Sequence, residues 1–217
     1  MSGRRLLWVL VRSVARILFL LAFRARVFGQ HNVPRSGGAL IVSNHESYLD
    51  PVLLGFALER PVSYMARQSL FRNRAFGWLI SSLNAFPLSP GAVNTEAIRE
   101  AVRRLQRGGC LLVFPEGTRT RDGRIGPLRP GVLAIVDRAR VPIVPAVIEG
   151  TFEAWPRGRW PRPGSISVAY GRPIPVEDYG RWSRAELVQK LQAELSRLQG
   201  ELWERKARSR GGSDCRE

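Results

Sequence analysis

The run ALIVSNHESYLDP, residues 39–51, changes character at Asn44. ALIVS (39–43) is apolar and β-branched enough for a strand buried on both faces, whereas NHESYLDP (44–51) gathers polar groups where a helix begins. In open parallel α/β sheets ligands meet the protein just outside the carboxyl ends of the strands, at this kind of junction. Five further short apolar runs follow the same plan: VSYMA (62–66), NAFPL (84–88), CLLVF (110–114), IVPAVI (143–148) and ISVAY (166–170). Helical patterns separate them over 51–58, 74–82, 94–107 and 130–139, with Asn94 placed to cap the third. The alternation predicts a single α/β domain with a mainly parallel central sheet flanked by helices.

The strand-to-helix junction recurs at FPEGTRTRDG (114–123), where Glu116, Gly117, Thr118 and Arg119 follow CLLVF. Two polar clusters at two strand ends can face one cleft. His45 brings an imidazole, the side chain type best suited to accept a proton near neutrality. A carboxylate five residues on, Asp50, can hold one ring nitrogen protonated and leave the other free. Ser43 and Ser47 lie near His45 without a G-x-S-x-G elbow, and Cys110 falls inside a strand, so no covalent nucleophile is indicated. That weighs against a serine-type lipid hydrolase.

The two blocks together resemble the glycerolipid acyltransferase family, typified by 1-acyl-sn-glycerol-3-phosphate acyltransferases, with its N-H-x-x-x-x-D and F-P-E-G-T-R motifs. Here these are Asn44, His45 and Asp50, then Phe114 to Arg119. VPIVPAVIEG (141–150) is similar to a further block, so the resemblance covers residues 39–150. It implies that His45 deprotonates an acceptor hydroxyl, which attacks the thioester of acyl-CoA or acyl-carrier protein while Asp50 orients the ring. Asn44, Glu116, Gly117, Thr118 and Arg119 would form the substrate site, and Arg67 stands where the family's similar M-A-K-x-x-L stretch has a basic residue. No cofactor is needed, because the thioester is already activated. The implied acceptor is a lysophospholipid, foremost 1-acyl-sn-glycerol-3-phosphate, giving phosphatidic acid. One departure bears on it: the family's F-[IP]-x-x-R-G block ends in a phosphate-binding arginine, and here Pro90 occupies that place. A different lysolipid or amphipathic alcohol is the alternative acceptor.

Composition points to an anionic partner. The net charge is +16, and of the 34 basic residues only Lys190 and Lys206 are lysine. Arginine forks onto phosphate oxygens, which suits phosphate-bearing partners. A purely basic lipid- or nucleic-acid-binding module would explain the charge but not the polar clusters at two strand ends, so no nucleic-acid partner is expected. With His31 and His45 the only histidines, and Cys110 and Cys215 the only cysteines, neither a multi-histidine metal site nor a disulfide framework can be built.

The apolar stretch 5–23 is interrupted by Arg12 and Arg16, which with Arg5 fall within about 40° on a helical wheel. That pattern reads as a helix lying in an anionic membrane interface, not as a span or a signal peptide. Toward the other end, Ser183 and Glu186 form a capping box ahead of Leu187, Leu191, Leu195, Leu198 and Leu202. The expected organisation is an amphipathic membrane-associating helix over 1–29, the catalytic domain over 30–180, a C-terminal helix over 181–207 and a disordered tail over 208–217. The expected location is the cytoplasmic face of a membrane, peripheral or monotopic.

Overall fold

The computed structural model describes residues 23–88, 95–156 and 158–211, with isolated positions 10, 13 and 14. Asn94 and Pro90 lie outside the described residues, as does most of the expected N-terminal helix. The strands are β1 (Arg26–Phe28), β2 (Ala39–Ser43), β3 (Val62–Arg67), β4 (Ala85–Leu88), β5 (Cys110–Val113), β6 (Ile143–Glu149) and β7 (Ser167–Tyr170). They form one sheet in the order β1-β7-β6-β2-β5-β3-β4. All neighbours are parallel except β6 and β7. The α-helices are α1 (Asp50–Phe56), α2 (Arg74–Ser82), α3 (Thr95–Gln106), α4 (Leu133–Ala139), α5 (Thr151–Ala154), α6 (Val176–Tyr179) and α7 (Arg184–Gly211).

The apolar strands earn their central places. β2, β5 and β6 are buried along their whole length, and β2 lies between the other two. Leu40 and Val42 face one core with Leu111 and Ile143, whereas Ala39 and Ile41 face the other with Leu112 and Val144. This alternation explains why the runs carry no polar face: both sides of the sheet are covered. Helix α1 packs into the second core through Leu53, Leu54 and Phe56. The Tyr170 hydroxyl of β7 also donates to the Leu54 carbonyl at 2.7 Å, which fixes α1, and therefore Asp50, against the sheet.

The leucine stripe of α7 packs on the domain itself: Leu187, Leu191, Leu195, Leu198 and Leu202 are all buried in the first core. At about 1.5–3 kcal/mol for each fully buried leucine, this face is a major source of stability. The capping box forms as read, with the Glu186 amide donating to Ser183 Oγ at 3.2 Å and the Ser183 amide to Glu186 Oε2 at 2.7 Å.

Two boundaries differ from the sequence reading. Residues 26–28 are not part of an N-terminal helix but an edge strand on β7, because Val27 and Phe28 alternate into the two cores and each finds apolar partners there. The C-terminal helix continues past 207 to Gly211, with Arg208 paired to Glu204 one turn earlier at 3.6 Å. Among the described residues no helix is long and apolar enough to cross a membrane.

Candidate active site

β2 releases the chain at Ser43, and the next six residues turn it back into α1 at Asp50. That turn brings Asp50 against His45: Nδ1 of the ring lies 2.8 Å from Asp50 Oδ2. The same carboxylate oxygen accepts the backbone amides of Glu46 at 2.5 Å and Ser47 at 2.8 Å. Asp50 thus folds the turn and holds the ring at once. Its side chain is 0% exposed and that of His45 is 20% exposed, so the ring is the part of the pair that can meet a substrate. A carboxylate oxygen can only accept, so the contact with Asp50 Oδ2 calls for the proton on Nδ1 and leaves Nε2 with its lone pair.

The FPEGTR loop clamps His45 from the adjacent strand, β5. Glu116 Oε1 accepts the His45 amide at 2.9 Å, and the Thr120 amide donates to the His45 carbonyl at 2.7 Å. Glu116 Oε2 accepts the Gly126 amide at 3.0 Å. Burial raises the Glu116 pKa, and the hydrogen bonds from His45 and Gly126 oppose the rise. The Phe114 ring stacks on the imidazole, with centroids 4.1 Å apart and planes 17° apart. Gly117 adopts φ +69, a left-handed turn that glycine takes without strain, and an added Cβ would press on the Arg129 side chain. Thr118 is exposed beside it. The Arg119 guanidinium sits 3.6 Å above the Tyr48 ring, which in turn tilts against Trp155 at 5.8 Å.

The sequence-predicted residues therefore divide. His45, Asp50 and Glu116 come together, although Glu116 engages backbone amides that shape the loop, and Arg119 lies on Tyr48 of the same turn. Asn44, expected to bind substrate, has both ends of its amide taken by β6: Nδ2 donates to the Ile148 carbonyl at 2.8 Å and Oδ1 accepts the Ile148 amide at 2.9 Å. It locks the exit of β2 to β6. Arg67 ends β3 at the carboxyl edge of the sheet and is exposed. Cys110 is buried in β5, where desolvation pushes its thiol up to about 11, so it is no nucleophile.

Several residues were not singled out from sequence. Thr151 places Oγ1 2.6 Å from Asp50 Oδ1 and 3.0 Å from Glu46 Oε2. It reaches them because β6 runs beside β2 and is followed by Gly150, whose φ of +93 turns the chain into α5. A Cβ on Gly150 would fall 2.2 Å from the Ser165 carbonyl oxygen, so only glycine fits this turn. Tyr48, the platform under Arg119, carried no sequence signal beyond its place inside the first motif.

Comparison with known proteins agrees with this geometry. The profile of the family described as Acyltransferase matches residues 24–149, more than half of the chain. A 1-acyl-sn-glycerol-3-phosphate acyltransferase of Bacillus subtilis is 25% identical over 191 residues, covering 88% of this chain and 94% of that protein. The chloroplastic enzyme of the same description from Brassica napus is 29% identical over 171 residues, covering 76% of this chain. The chain spans about half, 48%, of that plant protein's length. The crystal structure of the 1-acyl-sn-glycerophosphate acyltransferase PlsC from Thermotoga maritima superposes with a TM-score of 0.77 at 28% identity, covering 93% of this chain and 84% of that one.

Proposed function

From the premise that the chain belongs to the acyltransferase family, we propose that it moves a fatty acyl group from a thioester, acyl-CoA or acyl-carrier protein, to the free hydroxyl of lysophosphatidate. The product is phosphatidic acid. The observation that carries the reading is the His45 Nδ1 to Asp50 Oδ2 hydrogen bond of 2.8 Å, with the ring held on Phe114 and partly open to the outside. Nε2 takes the proton of the acceptor hydroxyl as its oxygen attacks the thioester carbonyl. The C–O bond forms, the C–S bond breaks, and the imidazolium returns the proton to the departing thiolate. Asp50 keeps the ring in one tautomer and offsets the positive charge it acquires. Thiol release measured with and without a panel of acceptors tests the proposal: release that requires a lysolipid supports it, and acceptor-independent release supports a hydrolase.

Arg119 supports the phosphate-bearing acceptor. The Tyr48 ring 3.6 Å beneath it fixes the guanidinium beside the His45 turn, and arginine is the side chain best suited to phosphate oxygens. Replacing Arg119 with alanine is expected to raise the acceptor KM by about tenfold and the donor KM far less. The second reading, a lysolipid without a terminal phosphate, follows from Pro90, which offers neither a side-chain nor a backbone donor. It predicts that neutral or zwitterionic lysolipids outcompete lysophosphatidate and that Arg67→Ala is silent.

Action at an anionic membrane surface is part of the proposal. The segment leaving β3 exposes Leu70, Phe76, Trp78 and Leu79 next to exposed Arg67, Arg72 and Arg74. No acidic residue occurs between Glu59 and Glu96. Apolar side chains ringed by arginines suit insertion among anionic headgroups, and the segment starts from the same sheet edge as the His45 turn. Phe76→Ser with Trp78→Ser is expected to weaken cosedimentation with phosphatidylglycerol vesicles several-fold, and chains lacking residues 1–22 are expected to be weakened further. Unchanged sedimentation of both would remove the membrane from the proposal.

A further inference from the structure

Behind Asp50 lies a second buried acid that the mechanism so far does not use. Glu46 is 2% exposed. Its Oε2 accepts the Phe152 amide at 3.0 Å and its Oε1 receives the Asn44 amide at 3.4 Å. Oε2 also lies 3.0 Å from Thr151 Oγ1, which lies 2.6 Å from Asp50 Oδ1. One threonine hydroxyl therefore stands between two buried carboxyl groups.

Counting protons decides how the three are arranged. A hydroxyl has one proton and can donate to only one carboxyl group; toward the other it must accept. For both contacts to be full hydrogen bonds, one of the two acids must carry a proton. Asp50 already receives two backbone amides and the imidazole N–H on Oδ2, four donors in all if Thr151 also gives to it. Glu46 receives one backbone amide and one long contact from Asn44. The negative charge belongs where the donors are, on Asp50, and the proton belongs on Glu46. The charged groups that bear on Glu46 are Glu149 at the end of β6 and Asp50 on α1, both acidic, so they too favour its neutral form.

Resting on the general-base reading of His45, we propose that Glu46 and Thr151 are positioning residues for it: Glu46 stays protonated and donates a hydrogen bond to the Thr151 hydroxyl, which donates one to the Asp50 carboxylate, and this chain of hydrogen bonds holds the imidazole in its working orientation. Neither residue touches substrate. If Glu46 ionises, the Thr151 hydroxyl must choose between two anions, and Asp50 loses a share of the hydrogen bond that steadies the carboxylate facing the ring. Burial, reinforced by Glu149 and Asp50, pushes the Glu46 pKa well above the ordinary value, the direction that favours the neutral form.

The kinetics of four full-length variants test the chain, with whichever thioester donor supports turnover and lysophosphatidate as acceptor. Thr151→Val is expected to lower kcat about tenfold with little change in either KM, and Thr151→Ser to restore it to within about twofold. The parent kcat is expected to fall on the alkaline side as Glu46 ionises, and Glu46→Gln, which cannot ionise, to lack that limb. Stability gives an independent readout. A carboxyl whose folded pKa is raised contributes stability that is complete below the unfolded value of about 4.5 and is lost as pH rises to the folded value. Glu46→Gln should therefore gain in Tm on the parent as pH increases through that window. A Thr151→Val enzyme with parental kcat, or a Glu46→Gln profile and Tm difference that follow the parent at every pH, overturns the chain. If His45→Ala is inactive in the same assay, the base survives that result; if His45→Ala is active, base and chain fall together.

Discussion

Replacing His45 with alanine is expected to lower acyl transfer by at least about 100-fold, the lower range of what a positioned general base contributes. The fold should survive, for a specific reason. His45 is anchored through its backbone, by its amide to Glu116 and its carbonyl to Thr120, and alanine keeps both bonds. Asp50 would still hold the turn through the amides of Glu46 and Ser47. Only the stack on Phe114 and the contact with Asp50 are lost. Thermal melting by circular dichroism alongside kcat/KM separates the two effects. A well-folded alanine variant turning over within a few-fold of the parent would remove His45 from the chemistry.

Asp50→Asn is expected to lower kcat about 100-fold, because the charge that compensates the imidazolium disappears while the shape of the side chain is kept. An asparagine can still turn its oxygen toward the two backbone amides and the ring, so the turn into α1 has a way to persist. Its amide nitrogen then faces Thr151, which must accept instead of donate, and the hydrogen bonding toward Glu46 reverses. Unlike removal of the ring, this substitution leaves a base in place but weakly oriented and uncompensated. The loss should therefore fall on kcat, with acceptor and donor KM near parental values. A variant that binds both substrates poorly and keeps kcat would place Asp50 in substrate binding.

What could be read in the sequence, and what could not, follows from the range of the interactions. β2, β5 and β6 announce themselves as unbroken apolar runs because both of their faces are buried. The His45 and Asp50 pair is also legible, since five residues of turn are enough to bring them together. β1 was hidden: three residues carry no period, and they adjoin an apolar stretch that reads as helix. Thr151 was hidden for another reason. It is 101 residues from Asp50 and meets it only because β6 pairs with β2 in a register that sets Ser43 beside Ala146. Glu46 looks like any polar residue inside a motif until burial and its neighbours give it a role. Asn44 shows the converse: a motif residue that reads as substrate-binding is spent on the Ile148 backbone. A motif thus marks where polar groups gather at the end of a strand, while which partner each of them meets depends on strand pairing.

Purified chain supplied with lysophosphatidate in mixed micelles, and with acyl-CoA or acyl-carrier protein thioester, puts the proposed reaction to its most direct test. Free thiol and phosphatidic acid are followed together, the second by mass spectrometry. The His45 mechanism predicts that both appear at equal rates, that neither appears without the acceptor, and that both vanish together in His45→Ala. Thiol released without lysophosphatidate, or lysophosphatidate left unacylated while another acceptor is consumed, would contradict it.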